Sequence, residues 1–139
     1  KKYKKLDFLF GSVFKHKLLH GYYPEKIKWT FGFYSTHSVG FFIKKDAQKK
    51  IGFYNIKYKY SADYDLFYRL IINKKMNGMA TKKNEIFGKF RSGGLSSKIK
   101  YIDFLNECTQ IRLDNKQNFF IVYLIFFARL LRNFKKILI

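Results

Sequence analysis

The chain has 139 residues, enough for one domain with a packed core, and 47% hydrophobic residues exclude a disordered chain. A single cysteine, Cys108, excludes an internal disulfide framework and fits a reducing compartment. The net charge is +20, but 24 of the 29 basic residues are Lys and they are spread along the chain. That pattern suits anionic membranes or phosphorylated substrates better than a nucleic-acid groove, which draws on the planar fork of Arg.

The sequence opens at Lys1 and not at Met, so a piece of a longer product is expected; no cleavable secretory signal is read at its start. Leu6-Asp7-Phe8-Leu9-Phe10 then reads as a buried strand interrupted or ended at Gly11. His16 and His20 stand four apart, a spacing that can hold a metal on a helix. Lys17 replaces the Glu of a zinc-protease motif, and Gly21 and Pro24 predict a loop, so surface histidines are expected. Trp29 lies among lysines and aromatics in a stretch whose pattern fits a strand or an irregular segment.

Val39 to Ile43 is a second strand-like run. Asp46 can cap a short helix through Lys50, with Lys49 and Lys50 near its negative end and Gly52 as a left-handed terminator. Ser61 is a good N-cap for a helix over 62–73, with Asp63 and Asp65 in its first turn. Asp65 and Arg69 can pair along the helix surface, and the first-turn carboxylates are expected to have low pKa values. In isolation this stretch reads as a well-capped surface helix, or as the seat of a general base.

Asn84 to Arg91 alternates Ile86, Gly88 and Phe90, a modest strand signal. Ser92-Gly93-Gly94-Leu95-Ser96-Ser97 follows, either a connecting loop or a turn whose amides bind phosphate with Arg91 nearby. Ser96 or Ser97 can cap the next helix, over 98–115, whose apolar stripe is Ile99, Ile102, Leu105, Cys108 and Ile111. Cys108 on that stripe reads as a small buried residue.

Asp114-Asn115-Lys116 marks a boundary between 1–114 and a tail over 115–139. Ten apolar or aromatic residues, Phe119 to Ala128, cover only about 15 Å as a helix, too short to span a bilayer core. Beyond them Arg129, Arg132, Lys135 and Lys136 share one helical face opposite Leu130, Leu131, Phe134, Ile137 and Leu138. A basic amphipathic helix of this kind suits an anionic membrane interface or docks on the rest of a longer protein.

One ordered set of motifs then stands out. It comprises His37, the strand to Ile43, Lys44-Lys45, Gly52-Phe53, Ala62-Asp63-Tyr64-Asp65-Leu66, Arg69, Phe90-Arg91 and Gly93-Gly94-Leu95-Ser96. Over about residues 6 to 100 it resembles the C-terminal half of the family 2 inverting glycosyltransferases. The resemblance implies an α/β chain, a partial GT-A fold over 1–114 without its N-terminal nucleotide-binding half. It implies a nucleotide-sugar donor, a glycan or lipid-linked acceptor, and transfer with inversion. It also implies a divalent cation, Mn2+ or Mg2+, in the whole enzyme, whose Asp-x-Asp ligand motif this chain lacks.

By the same resemblance Asp63 is the general base, with Ala62 where many relatives have Glu, and Asp65 is a fallback base or the partner of Arg69. His37, Arg91, Gly93, Gly94 and Ser96 become acceptor- or donor-side residues, and Ser61 and Arg69 structural supports. The whole enzyme is expected on the inner face of the cell membrane, as a peripheral cytoplasmic protein, and this chain alone is expected to be inactive. The competing expectation is a non-enzymatic lysine-rich module that binds nucleic acid or anionic surfaces. A third is a remnant that folds poorly.

Overall fold

In the computed structural model, which describes residues 4–15, 18–20, 27–29, 31–33, 35, 38–91, 93 and 98–137, Gly11 cuts the first aromatic run into two strands that enter different sheets. The described strands are β1 (Phe8–Phe10), β2 (Ser12–Lys15), β3 (Leu18–His20), β4 (Lys28–Trp29), β5 (Gly32–Phe33), β6 (Phe41–Ile43), β7 (Gly78–Ala80) and β8 (Ile86–Lys89). The α-helices are α1 (Lys45–Ile51), α2 (Ala62–Tyr68), α3 (Tyr101–Asp114) and α4 (Phe119–Arg132). The chain is thus mixed α/β, with small sheets. It divides into two compact units, Lys1–Phe53 with Arg69–Ser92, and Tyr54–Tyr68 with Gly93–Ile139.

All the strands belong to the first unit. β1 lies between β6, antiparallel, and β7, parallel, while β2 lies between β3, antiparallel, and β8, parallel. Alternation along β1 buries Phe8 and Phe10, whose rings meet edge-on at 5.3 Å. The switch between sheets needs glycine, because the Gly11 N–H donates to the Gly40 carbonyl at 2.6 Å and a Cβ on Gly40 would lie 2.6 Å from the Gly11 oxygen. Two buried hydroxyl residues complete the polar accounting there. Ser12 N–H donates to Thr81 Oγ1 at 3.1 Å, and Ser12 Oγ donates to the Lys82 carbonyl at 3.0 Å.

Several expectations shift. Ser38–Gly40 forms a 3-10 turn, so the second strand begins only at Phe41. Lys44, not Asp46, occupies the N-cap of α1, and Asp46 sits inside the first turn, where it still faces the positive end of the dipole. Gly52 ends α1 with φ +79°, the left-handed residue the sequence predicts. His20 is in a strand where a loop was expected, and His16 lies outside the described residues. Trp29 is in β4, half-exposed. β8 carries no buried face, since Ile86 and Phe87 are both exposed on an edge strand.

α2 is followed directly by a π-helical turn over Arg69–Asn73, so the helix expected over 62–73 changes its winding midway. The wider turn releases the chain through Lys75 at φ 49° into β7.

The second unit holds α2, α3 and α4. α3 buries Leu105, Cys108 and Ile111 as its periodicity predicts, but it starts at Tyr101 with Lys100 at the N-cap, so Ile99 is outside it; Ser96 and Ser97, the expected caps, lie outside the described residues. α4 packs on α3 through Val122, and Asn118 caps it by accepting the Ile121 N–H at 3.3 Å. α4 stops at Arg132, and Phe134–Lys136 is a separate 3-10 turn. No helix among the described residues is long and apolar enough to cross a membrane.

Candidate active site

Asp63 stands in the first turn of α2, and its carboxylate serves that turn's own amides. The Tyr64 N–H donates to Asp63 Oδ1 at 2.8 Å. The Ser61 hydroxyl, expected to do this, is instead buried beside the Cys108 thiol, which donates to it at 3.9 Å. Sequence places Ser61 at the right position for a cap, but the packing of α2 on α3 turns its side chain to Cys108.

Burial pushes the Asp63 carboxyl above the ordinary carboxylate range. The amides of Asp63 and Tyr64 pull the other way, and the negative charge of Glu107 on α3 pushes up again. The low pKa expected of a helix-start acid is therefore corrected: desolvation outweighs the helix amides. Tyr54 belongs to the same neighbourhood, since burial raises its phenol and the charge of Asp63 raises it further. Glu107 is fixed by the backbone, accepting the Lys59 N–H at 2.6 Å and the Tyr60 N–H at 2.9 Å. A half-buried carboxylate with raised proton affinity, held by amides and flanked by a phenol, is chemically a proton acceptor.

Asp65 is set apart from this group. It is only 2% exposed, and its Oδ1 accepts from Asn115 Nδ2 at 3.0 Å. Asn115 Nδ2 also donates to the Ile111 carbonyl at 2.8 Å, so Asn115 ties α2 to the end of α3. Its neighbour Asp114 accepts from Lys57 Nζ and from the Tyr58 hydroxyl, each at 2.6 Å. Those donors and Gln110 hold the Asp114 carboxyl down at about 2.

Arg69 lies in the first unit, where its guanidinium donates to the carbonyls of Ile51 and Phe53, the latter at 2.8 Å. It thereby closes the C-terminal end of α1 around Gly52, joining two motifs that are far apart in sequence. Arg91 is exposed just after β8, and Gly93 has φ +99° with open space where a Cβ would be. His37, Gly94 and Ser96 lie outside the described residues.

Asp63 and Asp65 do not fit a shared cation, because Asp65 is buried and commits an oxygen to the Asn115 amide. Among the described residues no group of three or more His, Cys, Asp or Glu is arranged to hold a metal ion. Cys108 is buried and its thiol is pushed up to about 11, which suits packing and leaves little thiolate.

The sequence reading assigns no site role to Tyr54 or Glu107, and it places Asn115 only at a boundary. Glu107 carried one usable signal, being one of only nine acidic residues in a strongly basic chain. No protein-family model matches the chain, and no curated protein or solved structure is significantly similar to it.

Proposed function

We propose that the chain is the base-bearing, acceptor-side part of an inverting glycosyltransferase of GT-A fold. The observation that carries this reading is the desolvated Asp63 carboxylate at the start of α2, raised by burial and by Glu107. The motif order from Gly52-Phe53 through Asp63 and Arg69 to Arg91 supports it.

In the proposed step an acceptor hydroxyl oxygen attacks the anomeric carbon of a nucleotide sugar. The bond from that carbon to the diphosphate oxygen breaks, its electron pair leaves with the diphosphate, and the hydroxyl proton passes to Asp63. A carboxylate of raised proton affinity suits this better than an ordinary one, because general-base efficiency grows with basicity while the group stays ionised at working pH. The donor diphosphate would be held by residues beyond this chain, with a divalent cation as the resemblance implies.

The test is transfer from a panel of radiolabelled nucleotide sugars by the full-length protein and by the 139-residue chain. Turnover is expected from the former and none from the latter. A full-length protein that binds and turns over no nucleotide sugar contradicts the reading.

The second reading is a non-enzymatic lysine-rich module that binds nucleic acid or anionic surfaces through its net charge of +20. It predicts an affinity that falls steeply with salt and is indifferent to replacement of Asp63. A salt titration with single-stranded and duplex nucleic acid separates the two.

A further inference from the structure

α4 is apolar on two sides, and among the described residues one side is buried and the other exposed. Val122 is 1% exposed against α3, whereas Phe120, Leu124, Phe127 and Leu131 are 79, 67, 55 and 75% exposed. Their spacing of four, three and four residues places them on one stripe of a 3.6-residue helix. Phe119 and Phe134 extend the exposed apolar surface at either end.

The charges frame this stripe. Arg129 follows Val122 by seven residues, two helical turns, and so falls on the packed side; its charge acts on Tyr64 and Cys108 of the same unit. The single cationic face expected from the sequence is therefore divided. Arg132, Lys135 and Lys136 are exposed beyond the C-terminal end of the stripe, and Lys116 is exposed before its N-terminal end. From Asn115 to the end of the sequence there is no Asp or Glu.

We infer that Phe120, Leu124, Phe127 and Leu131 seat α4 flat in the interface of an anionic lipid bilayer, with Lys116, Arg132, Lys135 and Lys136 at the level of the phosphates. Charge complementarity selects this occupant: an apolar stripe with cations at both ends and no acid matches a surface that is apolar beneath and anionic above. The exposed Phe120 and Phe127 suit the apolar face of an interfacial helix, which is buried at the boundary between headgroups and chains. Fourteen helical residues cover about 21 Å, so the helix lies along the surface and does not cross it. The inference stands apart from the sugar-transfer proposal, since vesicle binding requires neither Asp63 nor a donor.

The test is flotation of the protein with vesicles of phosphatidylcholine alone and of phosphatidylcholine with about one third phosphatidylglycerol. Binding to the anionic vesicles is expected to be at least ~10-fold stronger. The triple variant F120S/L124S/F127S keeps every charge, and its binding is expected to fall at least ~10-fold while far-ultraviolet circular dichroism is retained. The pair K135E/K136E is expected to lose the preference for anionic lipid. Undiminished binding by the triple variant overturns the proposal, because surface lysines alone would then account for adsorption. Failure of the folded parent to float also overturns it. So does a parent that sediments as a dimer, with a monomeric triple variant and no flotation by either, since a second copy would then cover the stripe.

Discussion

The side-chain amide of Asn115 donates to Asp65 at 3.0 Å and to the Ile111 carbonyl at 2.8 Å, so one residue closes α3 and holds a buried carboxylate of α2. Replacing Asn115 by Ala removes a donor from that carboxylate and from a helix-end carbonyl. The expected cost is about 1–3 kcal/mol, read as a lower urea midpoint at unchanged slope. An unchanged midpoint would show that water takes over both bonds.

Asp63 and Asp114 are expected to respond to pH in opposite directions. The folded pKa of Asp63 is raised, so its contribution to stability is fully present below its unfolded pKa and is lost as pH rises through the folded value. Above that value Asp63→Asn is expected to be more stable than the parent, with the difference vanishing in acid. Thermal melts of both proteins across pH 3 to 8 measure this, and a variant that is less stable at neutral pH contradicts it.

The folded pKa of Asp114 is lowered to about 2 by its bonds to Lys57, Tyr58 and Gln110. Its contribution is present above the unfolded value of about 3.9 and is lost as pH falls from there toward the folded value. Asp114→Asn is expected to flatten the acid limb of the same melts and leave the neutral limb parallel to the parent's. The carboxylate is partly exposed, so raising the salt concentration is expected to shrink the effect.

Gly40→Ala is expected to destabilise the first unit by about 1–3 kcal/mol, because the new methyl would meet the Gly11 carbonyl oxygen and neither backbone can give way. Gly93→Ala meets open space, so any cost there comes from its positive φ alone. Denaturant titration of the two variants separates crowding from backbone strain.

What the sequence made legible was local. The break at Gly11, the terminator at Gly52 and the α3 stripe through Leu105, Cys108 and Ile111 each follow from a single residue's conformational range or from a helical period. What it hid was long-range. Asp65 meets Asn115 across 50 residues, and Glu107 takes the Lys59 amide across 48, pairings that no spacing rule anticipates. Ser61 shows the competition directly. It is a sound cap by type, but the packing of α2 against α3 assigns its hydroxyl to Cys108 and leaves the amide of Tyr64 to Asp63. The low pKa expected for Asp63 failed for the same reason, since helix position is visible in a sequence and desolvation is not.

The most direct test of Asp63 as the base is sugar transfer by the full-length protein and its Asp63→Asn variant, with donor affinity measured alongside. The account predicts a fall in kcat of about 10²- to 10⁴-fold with donor binding kept. Turnover unchanged by the substitution would contradict it.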